Sequence, residues 1–303
     1  MRNLVFFLAY FDLMRYYFLC FIGILFSSQI LAQGPYHFPY DLSRPQLIGE
    51  LDKDLEEVSG LSLSGNELLA VQDEDGIIFR LNAQTGEIET TIDFGDEGDY
   101  EGIEHVGEYV YVTKSSGTLY RVSRAGTPDQ QVDKFNGFLN GDNDVEGLAY
   151  DRINNRLLLA CKAPDVSPET RHIYAFDLTT QTFLTEPILV VAKEEMQAYL
   201  ASCQPTAEHA AICDFFASEE AFRLGPSALA IHPQTGQYYL TSSRGKLMVV
   251  LSPSGRIQHV FRLEKDYFPQ PEGLAFAPNG DLYVSTEAKG GEPARIWKLA
   301  MVK

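Results

Sequence analysis

Residues 146–150 read Glu146-Gly147-Leu148-Ala149-Tyr150, and this short pattern decides the fold because it returns four more times. A polar or small pair opens an apolar run at Ser59-Gly60-Leu61-Ser62-Leu63, Glu101-Gly102-Ile103-Glu104-His105, Ser227-Ala228-Leu229-Ala230-Ile231 and Glu272-Gly273-Leu274-Ala275-Phe276. The second members of the pairs stand at 60, 102, 147, 228 and 273, at intervals of 42, 45, 81 and 45. Each run is followed by a turn and two further strand-like segments, such as Arg156–Cys161 and His172–Leu178 in the third repeat. Asp75-Gly76, Thr85-Gly86, Ser116-Gly117, Thr235-Gly236, Ser254-Gly255 and Asn279-Gly280 punctuate the strands as turn dipeptides. Four short antiparallel strands in each ~40–45 residues is the spacing of a β-propeller blade. The sequence therefore predicts an all-β, five-bladed β-propeller.

The interval of 81 leaves room for a sixth blade, but its extra residues do not read as strands. After Pro187–Val191 the chain runs Ala192-Lys193-Glu194-Glu195-Met196-Gln197-Ala198-Tyr199-Leu200 and continues to about Leu224 without period-2 alternation. Residues 192–224 are expected to form a short helical insertion on blade 3. The fifth repeat stops after its third strand, and Gln46-Leu47-Ile48-Gly49-Glu50-Leu51 is a strand-like segment with no blade of its own. Pairing this segment with 295–299 would close the ring and remove an exposed edge. The propeller is thus expected to span 46–303, preceded by a linker at 33–45.

Residues 1–32 belong to a different class. Met14-Arg15 precedes the apolar stretch from Tyr16 to Phe26, and Ile30-Leu31-Ala32 offers a small residue before a cleavage point. This is the grammar of a signal peptide, with an uncleaved membrane anchor as the alternative. Either reading implies export, and the expected location is the periplasm or cell envelope of a Gram-negative-type bacterium. Contact with a membrane is expected only through this segment. The 303 residues carry 42 acidic against 24 basic side chains, a net charge of −18, with 45% hydrophobic residues. That content fills a core and excludes general disorder. The negative balance repels phosphate backbones, so nucleic acid is not an expected partner.

Several ordered motifs together resemble a known family: Val71-Gln72-Asp73-Glu74-Asp75-Gly76, Gly98-Asp99-Tyr100-Glu101-Gly102-Ile103, Asp144 to Asp151, Leu158-Leu159-Ala160-Cys161-Lys162, Gly225-Pro226-Ser227-Ala228 and Gln270 to Phe276. From about Gln46 to Lys303 the chain resembles the bacterial SdiA-regulated family. The resemblance implies an exported five-bladed propeller, distantly similar to NHL-type propellers, with a bound calcium ion and no established catalytic activity.

The repeat column facing the central channel reads Ser59, Glu101, Glu146, Ser227 and Glu272. Three carboxylates brought together raise one another's pKa values, and a cation resolves the conflict. Oxygen donors without His or Cys favour calcium over zinc. Glu101, Glu146 and Glu272 are therefore the candidate metal ligands, with Glu57, Asp73, Asp99, Asp144 and Glu287 as possible additional channel or blade-top ligands. The competing reading makes each Glu-Gly a shaped strand entry whose carboxylate bonds to the neighbouring blade. Lys114 and Lys162 stand at strand ends and are candidate counter-charges for Glu101 and Glu146. No Gly-x-Ser-x-Gly elbow occurs, and the six His have neither metal nor triad spacing.

The leading expectation is a calcium-binding recognition module, monomeric, for a protein, peptide or glycan. A metal-dependent phosphoesterase or lactonase using the channel carboxylates is the alternative. Cys203 and Cys213 lie ten positions apart in the insertion and, in an exported protein, are expected to form a disulfide. Cys161 is expected to be a buried thiol.

Overall fold

The computed structural model describes residues 38–302 apart from 165 and 218–221. The N-terminal segment at 1–32 lies outside the described residues. Five four-stranded antiparallel sheets account for the strands. Blade 1 comprises β2 (Val58–Ser64), β3 (Glu67–Gln72), β4 (Ile77–Asn82) and β5 (Ile88–Asp93). Blade 2 comprises β6 (Tyr100–Val106), β7 (Tyr109–Lys114), β8 (Leu119–Ser123) and β9 (Gln131–Phe135). Blade 3 holds β10 (Val145–Asp151), β11 (Arg156–Cys161), β12 (Thr170–Asp177) and β13 (Thr182–Ala192). Blade 4 holds β14 (Ala228–Ile231), β15 (Tyr238–Ser242), β16 (Leu247–Leu251) and β17 (Ile257–Arg262). Blade 5 is composite: β18 (Pro271–Phe276), β19 (Leu282–Thr286) and β20 (Arg295–Leu299) are joined by β1 (Gln46–Glu50) as the outer strand.

Burial falls from the axis outward. Inner strand β10 is buried at every position but Tyr150, whereas outer strand β9 is exposed except at Phe135, which is half-buried. The inner strands β2, β6, β10, β14 and β18 neighbour one another in a ring. Apolar side chains fill the space between successive blades, for example Ile78, Val71 and Phe94 of blade 1 against Ile103, Val110 and Val112 of blade 2.

The insertion is a pair of short helices, α1 (Lys193–Ser202) and α2 (Ala207–Phe216), that follows an eleven-residue β13. Thr206 caps α2 by accepting from His209 N at 3.0 Å. Neither helix is strongly amphipathic, so their stability comes from docking. Met196 and Leu200 of α1 and Ile212 and Phe216 of α2 bury against Leu189, Val191, Leu247, Val249 and Val260. The expected Cys203–Cys213 disulfide is not formed; both thiols are free. Each is turned toward a helix group. Cys203 Sγ, just past the end of α1, donates to Tyr199 O at 3.3 Å, and Cys213 Sγ lies 3.4 Å from His209 Nε2. Cys161 is fully buried. No helix among the described residues is long and apolar enough to cross a membrane.

Candidate functional site

The repeated Glu-Gly has a local structural cause. In blades 1, 2, 3 and 5 the pairing of the first two strands slips between Val58 and Gly60, Tyr100 and Gly102, Val145 and Gly147, and Pro271 and Gly273. The residues left in these bulges are Ser59, Glu101, Glu146 and Glu272. A bulge bends a strand and re-aims the side chain it carries. Blade 4 has a regular register from Ala228 onward and no such bulge.

The glycines serve the joint between blades. A Cβ on Gly102 would sit 2.7 Å from Leu148 Cβ, and one on Gly147 would sit 3.0 Å from Leu229 Cβ. A Cβ on Gly273 would sit 2.7 Å from Leu61 Cβ. Each glycine thus admits the next inner strand, and close approach toward an ion is not its primary role. Gly102→Ala should cost about 1–3 kcal/mol by overpacking, measured as a lower denaturant midpoint. Unchanged stability would show that the blade joint has slack. The serines in the same column latch blades directly. Ser59 Oγ donates to Tyr100 O at 2.5 Å and Ser227 Oγ to Pro271 O at 2.6 Å.

Glu101, Glu146 and Glu272 all line one axial cavity of about 10 Å³, which is room for one atom-sized occupant such as a water or an ion. Their charges are already partly compensated. Lys162 Nζ, from the end of β11, ion-pairs and hydrogen-bonds with Glu146. Burial works against the Lys162 ammonium, but Glu146, Asp144 and Glu272 hold its pKa above the usual lysine value. Burial pushes Glu146 up, Lys162 pulls it down, and the balance lies at about 7. Burial, the Glu146 charge and a hydrogen bond shared with Asp99 push Glu101 to about 10. Glu272 is held well above the carboxylate range by burial and by Glu146 and Glu287. Burial and mutual repulsion thus favour the protonated forms of Glu101 and Glu272, while Lys162 offsets the charge of Glu146.

The mouth above this cavity gathers the other expected carboxylates. Asp73 is pushed to about 6 by burial and by Glu57, and its Oδ1 is buried with no hydrogen-bond partner among the described residues. Glu287, bonded to Gln270 Nε2, is pushed to about 7 by burial and the Asp73 charge. Ser115 Oγ bonds to Asp99. Asp144 adopts φ 53°, in the left-handed region that Asp tolerates, and its carbonyl accepts from Lys162 N at 2.7 Å. The loop Asp73-Glu74-Asp75-Gly76 is the turn between β3 and β4, tied by Gln72 Nε2 to Asp75 Oδ2 at 3.0 Å.

The two candidate counter-charges separate. Lys162 serves Glu146, but Lys114 Nζ lies over the Tyr100 ring, 4.5 Å from its centroid, and donates to Glu97 O at 3.4 Å. One carboxylate was outside the expected set. Glu104, hydrogen-bonded by Ser62 Oγ at 3.4 Å, faces a cavity of about 100 Å³ toward the other end of the channel and is pushed to about 8 by burial. Its signal was in the repeats, because the equivalent positions are Ser62, Ala149, Ala230 and Ala275.

In donor chemistry and in size this ring fits one hard cation: the side-chain donors are oxygen, and neither His nor Cys faces the cavity. Its arrangement as it stands is not a ready cage. Among the described residues no three His, Cys, Asp or Glu side chains are drawn together as a metal-ligand set. Uptake of an ion requires carboxylates to exchange a proton or Lys162 for it.

A family profile described as SdiA-regulated matches residues 37–295. The chain belongs to the SdiA-regulated family. Among curated proteins none matches it in sequence. The glutaminyl cyclase of Myxococcus xanthus superposes with a TM-score of 0.52 at 13% identity, covering 85% of this chain and 100% of that one. The PQQ-bound aldose sugar dehydrogenase of Streptomyces coelicolor gives 0.48 at 15% identity, covering 84% and 97%. A structure of a nidogen/laminin complex gives 0.46 at 18% identity, covering 76% and 72%. At these identities the likeness is one of fold.

Proposed function

We propose that this SdiA-regulated propeller is a recognition module at the cell envelope whose axial acid ring takes up a calcium ion. The observation that carries the reading is the convergence of Glu101, Glu146 and Glu272 on one cavity of ion size. Glu101 and Glu272 are the carboxylates open to the ion, since both line the cavity without a lysine partner, whereas Glu146 is engaged by Lys162. Oxygen donors favour calcium over softer metals. A cavity of about 10 Å³ has no room for a phosphoester or lactone beside the ion, so ligand recognition falls to the blade-top loops around the mouth. That argues against hydrolysis within the ring.

The test is thermal unfolding at pH 7.5 in chelator and in excess calcium. Binding to the folded state alone at about 100 times Kd adds ~2.7 kcal/mol, which for a domain of this size corresponds to ~5–10 °C. Lys162→Gln frees Glu146 from its lysine and should enlarge the calcium-dependent shift, whereas Glu272→Gln should shrink it. Identical melting in chelator and calcium, for both the natural chain and Lys162→Gln, would make the ring a metal-free structural element.

A further inference from the structure

A second site lies away from the axis, on the flank of blade 4. A cavity of about 820 Å³ opens between residues 38–43, the first turns of α2, the turn before β16 and the end of β17. Its apolar wall is Phe38 and Phe261, with ring centroids 3.9 Å apart, and His259 stacks behind Phe261 at 3.8 Å. Its cations are Lys246, Arg262 and Lys265. The backbone fixes the first of these. Lys246 sits at φ 52° in a turn where its amide donates to Ser243 O and its carbonyl accepts from Leu263 N at 2.7 Å. The neighbouring Gly245 is pressed under the Phe215 ring of α2, so the helix and the lysine turn are packed as one unit.

The cavity is lined by three cations, Lys246, Arg262 and Lys265, and three carboxylates, Asp41, Glu208 and Glu264, a local balance in a chain that is otherwise strongly acidic. In a protein of net charge −18, neither Lys246 nor Arg262 has a salt bridge among the described residues. Burial and the nearby Lys289 and Arg262 lower the Lys246 pKa. Two of the three carboxylates lining the cavity are held by local hydrogen bonds. Glu208 accepts from Arg262 N at 3.0 Å, and Asp41 takes both Ser43 N and Ser43 Oγ. Glu264 is exposed at the rim. The positive end of α2, whose first turn lines the cavity, adds to the same sign.

We propose that this pocket binds an organic anion, its ring, aromatic or sugar, packed against Phe38 and Phe261 and its carboxylate, sulfonate or phosphate held by Lys246 and Arg262. Aromatic walls with a few placed charges are the usual make-up of a small-molecule site, and the volume lies within the usual range for one. The site is independent of the axial ring, so its ligand should bind equally well in chelator and in calcium.

Fluorescence titration at about 150 mM salt tests this, with long-range steering screened. The probes are 8-anilino-1-naphthalenesulfonate and its uncharged analogue N-phenyl-1-naphthylamine. The sulfonate should bind at one site, about tenfold more tightly than the neutral amine. It should weaken about tenfold in Lys246→Gln and further in the Lys246→Gln/Arg262→Gln pair. Both substitutions are at partly or fully exposed side chains, and unchanged melting verifies the fold. Lys114→Gln, on blade 2, should leave binding unaltered. Equal affinity for the neutral amine, or undiminished sulfonate binding by the double variant, would overturn the proposal.

Discussion

Removing Gln46–Leu51, the strand β1 and the buried leucine after it, should abolish cooperative unfolding of the propeller. This strand is the outer edge of blade 5, paired as Gln46 with Lys298, Leu47 with Trp297, Gly49 with Ile296 and Glu50 with Arg295. The deletion strips the ladder from β20 and removes Ile48, which is buried. It also cuts the tether by which Tyr40 OH donates to Gly280 O at 2.6 Å and Pro39 O accepts from Val302 N at 2.8 Å. Two anchored apolar side chains, Ile48 and Leu51, contribute about 1.5–3 kcal/mol each when buried. Four or so ladder hydrogen bonds add about 1 kcal/mol each. The loss of ~7–10 kcal/mol is comparable with the whole stability of an ordinary domain. It also leaves β20 as an unprotected edge carrying Ile296 and Trp297. Far-UV circular dichroism against denaturant should show no transition, or the protein should aggregate. Leu47→Ser, at a position 44% exposed on the same strand, should shift stability by only about 0.5 kcal/mol. A normal transition after the deletion would mean that the ring closes without β1.

The architecture was legible because the blade joint is written into short local words. The bulge requires a residue to re-aim and the joint requires a residue without Cβ, so Glu-Gly recurs at the interval of a blade. What the sequence could not show is which partner each polar side chain finds. Lys114 and Lys162 look alike in sequence but stand one residue apart in register: Lys114 pairs with Tyr100, whereas Cys161, not Lys162, pairs with Val145, and only Lys162 joins the acid ring. Successive side chains of a strand alternate faces, so the offset of one residue sends Lys162 to the channel and leaves Lys114 over the Tyr100 ring. The free Cys203 and Cys213 depend on how two helices dock, which ten residues of spacing do not specify. The blade-4 pocket was invisible for the same reason. Its residues come from 38–43, 207–211, 245–246 and 261–265, and no local pattern links them.

Stability in chelator should fall as pH rises from about 5 to 9, opposite to the rise that paired carboxylates give. Glu101, Glu146, Glu272, Glu287, Asp73 and Glu104 all hold protons more tightly in the folded chain than in the unfolded one. The folded state thus binds more protons between the unfolded carboxylate values and the raised ones, and stability decreases with pH across that window. The contribution is fully present below the ordinary carboxylate pKa. It declines through about 6 for Asp73, about 7 for Glu146 and Glu287 and about 8 for Glu104, and continues toward 10 for Glu101. Below about pH 4 the trend reverses, because Asp281, where Lys298 and Met301 N outweigh burial and hold the pKa low, then takes up protons. A tenfold difference in proton affinity between the folded and unfolded chains is worth about 1.4 kcal/mol, so even with partial relaxation of the ring a loss of ~3 kcal/mol between pH 5 and 9 is expected. Glu101→Gln, which keeps the shape and removes the ionisation, should flatten the alkaline part of the profile and raise stability at pH 8.5 by ~2 kcal/mol. Calcium should flatten it in the natural chain by the same physics, since a cation replaces the protons the ring otherwise needs. A profile that rises from pH 5 to 9 in chelator would mean the carboxylates are ionised and paired within the fold. A falling profile that calcium leaves unmoved would instead keep the proton-bearing ring and remove the ion from it.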